Sequence, residues 1–452
     1  MKRLHRLFEC RCITQRVGVN MTSLPRISTL ATFCCTLALC FLGCRQETPP
    51  PLAAATTELS YILDDTDLQS VGEKIFFDAT LSTPPGQACA ACHSPDVGWT
   101  GPLEELNKKG SVYPGALHSR FGNRKPNSSA YATLTPRFHA ERDGNTLTFV
   151  GGDFWDGRAT GWKLGNPAAD QAEGPFLNPV EQNNPDANAV VQKILASAYA
   201  EDFRAVVKRI WGIADVSQEK TDLVYGIVAL AIAAFEHSPK VNQFSSKYDL
   251  FLKEKVALSA EERRGLELFE GKGRCANCHT HRPGPDGAPP LFTDFTYDNI
   301  GVPKNPDNPW YTMPAEFNAA GEEWVDPGLA DFLSTVPQYA MYAKESFGKH
   351  RVPTLRNVDV RPTPGYVKAF GHNGYFKSLE QVVHFYNTRD VLPAADKVKD
   401  PKPGINCWPA PEVGENLNTE ELGDLKLSPE EEAAIVAFMK TLSDGYKPPV
   451  LQ

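Results

Sequence analysis

The sequence predicts a mainly α fold in two loop-rich halves with almost no strand. Three observations carry this. The pentad Cys89-Ala90-Ala91-Cys92-His93 has a twin at Cys275-Ala276-Asn277-Cys278-His279, one in each half of the 452-residue chain. The helix-like segments ahead of the pentads echo one another, Gly72-Glu73-Lys74-Ile75-Phe76-Phe77 against Gly265-Leu266-Glu267-Leu268-Phe269. Elsewhere, capping boxes and apolar periodicity mark helices between long stretches rich in Gly, Pro and Asn.

In a C-x-x-C-H pentad the two thiols add across the vinyl groups of a haem and the adjacent His ligates the iron. The close spacing lets both thioethers reach one porphyrin edge while the imidazole swings beneath the plane. A lone pentad could be a zinc or redox half-site. Two of them, each after a helix, read as two covalent haem c groups. Cys89, Cys92 and His93 hold the first, and Cys275, Cys278 and His279 the second. The halves then read as duplicated cytochrome c-like haem domains, residues 61–245 and 246–452.

Length beyond that of a typical single domain agrees with two units. A formal charge of -9 with no basic stripe excludes nucleic acid as a partner. That charge is compatible with docking a basic electron donor. Of the 11 cysteines, Cys10, Cys12, Cys34, Cys35, Cys40 and Cys44 crowd the start, and the pentads take four more. Only Cys407 is left over, so no disulfide framework forms, and Cys407 reads as a small buried apolar residue.

Residues 1–44 carry an export plan. Met21 to Arg26 is a basic start, Ile27 to Leu42 an apolar run, and Gly43-Cys44 a small residue before a cysteine. Phe41-Leu42-Gly43-Cys44 resembles a bacterial lipobox, which makes Cys44 the lipidated first residue of an exported, periplasmic chain. A simple secretory signal or an uncleaved anchor are the alternatives, and Met21 is a candidate initiator. Residues 45–60, with the Pro/Ala/Thr stretch Pro49 to Thr57, read as a tether. Leu68 to Phe77 is a helix that brings Phe76 and Phe77 to the first haem. Ser94 to Thr148 reads as loops over that haem. Asp222 to Phe235 is apolar nearly all round, but is too short to span a bilayer and reads as a core helix. Ser259-Ala260-Glu261-Glu262 and Ser428-Pro429-Glu430-Glu431 are capping boxes opening two helices of the second half.

Between the pentads stand Phe154-Trp155-Asp156-Gly157-Arg158-Ala159, Asp170-Gln171-Ala172 and Gly174-Pro175-Phe176-Leu177-Asn178-Pro179-Val180-Glu181. With Val352-Pro353-Thr354-Leu355-Arg356-Asn357 and His372-Asn373-Gly374, these make the chain resemble the bacterial diheme cytochrome c peroxidase family, MauG-type enzymes included. The resemblance covers about Gly72 to Gly445. It implies that Trp155 relays electrons between the haems and that Gln171 and Glu181 belong to the peroxide site, at the haem of His93. A physical argument stands beside it. Splitting peroxide heterolytically needs a group that takes a proton from one oxygen and returns it to the other. A buried carboxylate, raised from about 4.3 toward neutrality, suits that task.

The resemblance also implies a distal ligand on the first haem, for which His118 is the nearest candidate. On the second haem it implies a Met or, in MauG-type enzymes, a Tyr. Reading that slot as the residue before His372 puts Gly371 there and leaves Met341, Tyr366, His372 or nothing as the ligand. A calcium ion between the haems is a further implication, with Thr335 and Pro337 as carbonyl donors and an Asn sought near Asn123. Three functions follow. The first is a peroxidase reducing hydrogen peroxide with electrons from a small c-type cytochrome or copper protein, the chain being compatible with a homodimer. The second is a MauG-like oxidase of a protein or small molecule. The third is an electron carrier without turnover.

Overall fold

The computed structural model describes residues 59–144, 146–284 and 287–448. The export segment, Cys44 and nearly all of the tether lie outside those residues. The described residues form one compact unit. It is mainly helical, and its strands are short.

The first helix, α1 (Thr66–Phe76), starts where Asp65 accepts the amide of Leu68 and so satisfies one of the free N–H groups of the first turn. Leu68, Val71, Gly72, Ile75 and Phe76 share its buried face, at helical spacing. A hairpin of β1 (His139–Asp143) and β2 (Thr146–Val150) follows, His139 opposite Val150. Next come α2 (Pro167–Leu177), α3 (Ala187–Ala196), α4 (Ala200–Trp211) and α5 (Thr221–His237). α5 is the predicted core helix, buried from Val224 through Glu236. Among the described residues no helix is long and apolar enough to cross a membrane.

The second half contributes α6 (Lys247–Leu252), α7 (Ala260–Glu270), α8 (Leu329–Thr335), α9 (Leu379–Thr388) and α10 (Pro429–Lys440). Both predicted capping boxes form: Ser259 with Glu262 opens α7, and Ser428 with Glu431 opens α10. A third, Ser246 with Asp249, opens α6.

One hydrophobic core runs from Leu63 to Val241 and a second from Tyr248 to Leu442. They repeat a crossing. In the first core α1 packs on α5, Gly72 against Ala231 and Phe76 against Phe235, with ring centroids 5.2 Å apart. In the second α7 packs on α10, Gly265 against Ala434 and Phe269 against Phe438, again 5.2 Å apart. Glycine is required at both crossings because the opposing backbone leaves no room for a Cβ. The partner helices echo in sequence as well, Ala231-Ile232-Ala233-Ala234-Phe235 against Ala434-Ile435-Val436-Ala437-Phe438. This second repeat adds to the one between the pre-pentad helices.

Buried ion pairs join the halves. Arg124 pairs with Asp156 of its own half and forks onto Asp326 of the other, and Arg351 reaches Asp153. Phe149 of the hairpin and Phe138 just ahead of it pack with Leu329 and Leu333 of α8.

Candidate active site: two cavities sharing one wall

The first cavity is edged by Cys89, Cys92 and His93, the second by Cys275, Cys278 and His279. Each pentad is a 3-10 turn in which the His amide bonds back to the carbonyl of the first Cys. The imidazoles are held alike. His93 Nδ1 lies 3.3 Å from the carbonyl of Trp99, and His279 Nδ1 lies 2.8 Å from that of Phe292. A carbonyl only accepts, so Nδ1 carries the proton and the Nε2 lone pair is left for a metal. Burial keeps both rings neutral, lowering His93 and pushing His279 down to about 4. Burial also pushes the thiols of Cys89 and Cys275 up to about 12, with Glu236 adding to the effect at Cys89. Paired thiols at the mouth of an apolar cavity, with a neutral His beside them, fit covalent haem attachment.

The first cavity gathers the predicted peroxide residues. Gln171 and Pro175 lie one turn apart on α2 and face inward together. Glu181 follows in the turn after α2, its amide bonded to the carbonyl of Asn178. Burial raises the Glu181 carboxyl above its ordinary value, opposed by Arg158 and by the Asn178 side chain, whose Nδ2 donates to Oε2 at 3.1 Å. Glu236 of α5 also lines this cavity, and burial followed by Asp153 raises it to about 8. Its sequence signal was slight: a single carboxylate ending an otherwise apolar helix.

Trp155 lines both cavities. Phe154 ahead of it has φ +63°, in a loop closed by the bond from the Asp153 amide to the Ala159 carbonyl. The indole Nε1 donates to the carbonyl of Lys125 at 2.9 Å, and the Trp155 carbonyl accepts from the Arg351 amide. Lys125 and Asn127 line both cavities as well. Burial, with Lys377 nearby, lowers the Lys125 amine to about 8.

Several expected ligands fall elsewhere. His118 is exposed and lines neither cavity. Met341 is 78% exposed, and the Tyr366 hydroxyl is engaged by Asn107 outside the second cavity. His372 does line the second cavity, with its ring stacked on His350 at 3.6 Å, and Gly371 lies beside it with φ +81°. Tyr386 of α9, not among the expected ligands, is a further side chain in reach of this cavity. It lines the second cavity, and burial, followed by the nearby Cys278 thiol, raises its hydroxyl, which has no hydrogen-bond partner among the described residues.

The calcium donors need correcting too. Thr335 and Pro337 are exposed at the end of α8 and line neither cavity, because α8 is turned toward the hairpin core. Asn123 lines the first cavity only, and Asn127 lies in the wall between the two. Its Oδ1 is buried without a partner in the wall shared by the cavities. Cys407 is fully buried, as its reading required.

A mainly helical chain with two cavities, each edged by a Cys-x-x-Cys-His turn, has the architecture of a di-haem c-type protein. The comparisons narrow the class. The di-haem cytochrome c peroxidase family model matches residues 66–257. The chain is 33% identical to the methylamine utilization protein MauG of Paracoccus denitrificans over 403 residues, 88% of this chain and 94% of that one. It is 26% identical to the cytochrome c551 peroxidase of Nitrosomonas europaea over 342 residues, covering 75% and 76% of the two chains. The diheme peroxidase BthA of Burkholderia thailandensis superposes with a TM-score of 0.67 at 28% identity, covering 84% of this chain and 87% of that one. The chain belongs to the family of di-haem cytochrome c peroxidases that includes MauG.

Proposed function

We propose that the chain reduces hydrogen peroxide at the first cavity, drawing electrons from the second cavity through Trp155. The observation that carries this is one of placement. Trp155 stands in the wall common to both cavities, while Gln171 and Glu181 face only the first. Haem held by Cys89, Cys92 and His93, and by Cys275, Cys278 and His279, supplies the redox-active iron on which peroxide is split and its two oxidising equivalents are held.

The chain's own residues handle the rest. Gln171 orients peroxide by hydrogen bonding. Glu181, ionised and buried, accepts the proton of one peroxide oxygen and delivers it to the other, so that the leaving group departs as water. Asn178 holds one carboxylate oxygen and thereby aims the other. Two electrons and two protons complete the conversion of peroxide to two waters. A small c-type cytochrome or copper protein is the donor in this reading. The chain works in the periplasm, tethered through Cys44, and is compatible with a homodimer. Its two haem domains meet near residue 245. Calcium, where bound, is held by Asn127.

A second reading rests on Tyr386. The Tyr386 hydroxyl, without a hydrogen-bond partner among the described residues and in the cavity of His279, would offer an oxygen ligand to the iron of a haem held there. An anionic oxygen ligand favours the oxidised iron. That would favour a MauG-like oxidase, in which a protein side chain or small molecule supplies the electrons.

Electron paramagnetic resonance of the purified holoprotein, with peroxide added to the fully oxidised and the half-reduced forms, tests both. Reaction only after half-reduction supports the peroxidase, and reaction from the oxidised form supports the oxidase. Two six-coordinate haems inert in both forms overturn enzymatic function altogether.

A further inference from the structure

Among the described residues, Trp310 alone of the second half lines the first cavity. It sits in the 3-10 turn Pro309–Thr312, which two buried asparagines pin in place. Asn308 Oδ1 accepts the Trp310 amide at 3.0 Å, while Asn308 Nδ2 donates to the carbonyl of Asn123 at 2.9 Å. Asn318 Nδ2 donates to the Trp310 carbonyl at 2.9 Å. The indole itself is left unmet. Its Nε1 is buried and finds no acceptor among the described residues, whereas the indoles of Trp155, Trp162 and Trp408 all donate to the protein. A buried N–H without a partner is costly, and one at a cavity wall is left to bond what the cavity holds. Such a bond joins the indole to the redox group of the first cavity.

The aromatic contact continues outward. The Trp310 ring lies 6.0 Å from that of Trp324, edge to face, the usual spacing of aromatic rings in contact. Trp324 follows the 3-10 turn Gly321–Glu323 and is partly exposed. Its Nε1 bonds no described residue and is not shut off from solvent. Tyr311 packs on the same ring at 6.1 Å, but it is buried and leads no further outward. A pair of touching indoles therefore runs from the cavity wall to the surface. Indole is among the most readily oxidised side chains, and tunnelling between touching rings is fast compared with turnover.

We propose that Trp310 and Trp324 form an exit for oxidising equivalents, leading from the first cavity to phenolic one-electron donors at the surface. This exit presupposes peroxide reduction in that cavity. One electron moves from Trp310 into the cavity and is replaced from Trp324, so the vacancy comes to rest where water can take the indole proton. A phenol then returns one electron and one proton to Trp324 and leaves as a phenoxyl radical. Two phenols serve each peroxide, and the products are two waters and two phenoxyl radicals. Neutral phenols fit this surface because the exposed Glu322 and Glu323 next to Trp324 repel anionic donors. The route is separate from that through Trp155, since Trp310 does not line the second cavity.

Peptide mapping of the holoprotein by mass spectrometry, after hydrogen peroxide is added without a reductant, tests the exit. The haem absorbance change on adding peroxide is read first. Its absence overturns the peroxide site, and the exit with it. Where it is present, oxygen should be incorporated at Trp324, and Trp310→Phe should lose that label. Met341, exposed and open to direct attack by peroxide, should be oxidised equally in both chains. Trp324→Phe should keep the absorbance change but slow the peroxide-driven oxidation of p-cresol, and it decides alone if Trp310→Phe does not accumulate. A reacting haem with no label at Trp324, or a label that survives Trp310→Phe, overturns the exit and leaves the peroxide site standing. p-Cresol oxidised as fast by Trp324→Phe as by wild type overturns the exit as the route to phenols.

Discussion

A Cβ placed on Gly72 would lie 1.8 Å from the carbonyl oxygen of Ala231, so α1 and α5 touch backbone to backbone. The second core repeats the contact, with a Cβ on Gly265 falling 1.9 Å from the Ala434 carbonyl. These crossings fix the helices that lead into the two pentads, and so set where each His enters its cavity.

Gly72→Ala and Gly265→Ala should therefore each cost about 3 kcal/mol or more, the upper end for overpacking, since backbone rather than a flexible side chain must yield. Gly174→Ala is the control. Gly174 lies in α2, and a Cβ there meets only Phe154 Cζ at an ordinary 3.6 Å. That change gains helix propensity but sets a Cβ ahead of Pro175, where a helical residue is disfavoured, so the net effect should stay within about 1 kcal/mol of zero. Denaturant unfolding of the three holoproteins checks the contrast. Equal losses at Gly72 and Gly174 would contradict it.

Glu181→Gln should cut peroxide turnover by roughly 10²- to 10⁴-fold, the range for losing a positioned acid–base group. Both haems should remain attached. The pH dependence has a definite sign. Glu181 must be ionised to accept a proton, so activity falls as pH drops through its pKa, which burial raises above the ordinary carboxylate value. Asn178→Ala removes a hydrogen bond that favours the ionised form. The acidic limb of the rate profile should then move to higher pH, with the alkaline limb unmoved. Rate profiles of wild type and Asn178→Ala check this directly, and a shift to lower pH would contradict the role of Asn178.

Trp155→Phe keeps an aromatic ring in the shared wall but removes the donor to Lys125. Losing one hydrogen bond to a backbone carbonyl should cost only about 1 kcal/mol of stability. The kinetic effect should be far larger. Stopped-flow spectra should show peroxide reacting at the first haem at near the normal rate, while oxidation of the second haem slows at least tenfold. Unchanged transfer between the haems would show that electrons take another path.

How much of this was legible in sequence depended on whether the signal was local. The pentads, the capping boxes at Ser259 and Ser428 and the apolar helix ending at Glu236 were all readable, because each depends on a few adjacent residues. Gln171 and Glu181 were placed by motif, and the folded chain brings them to one cavity through a single helix and the turn that follows it. Tyr386 and Asn127 were not found. Their positions on the cavity walls are set by packing between distant segments, and a lone Tyr on an amphipathic helix resembles any core aromatic. Lys125 escaped for a related reason: the sequence of a lysine does not say that it is buried. The Ala231–Phe235 and Ala434–Phe438 echo was there to be read, but its meaning emerges only against Gly72 and Gly265.

Tyr386→Phe separates the two functional readings by spectrum rather than by activity. Removing one hydroxyl from a side chain that makes no hydrogen bond leaves the packing of α9 on α10 in place, so stability should change by less than about 1 kcal/mol. If the hydroxyl serves as the sixth ligand of the second haem, the oxidised variant should convert that haem from six- to five-coordinate, visible in resonance Raman and electron paramagnetic resonance. Its midpoint potential should rise, because an anionic oxygen ligand stabilises the oxidised iron. Tyr386→Met would raise it further, since a thioether favours the reduced iron, and should make reaction with peroxide depend on prior half-reduction. A wild-type spectrum in Tyr386→Phe would instead place the ligand elsewhere in that cavity, with His372 the next residue to replace.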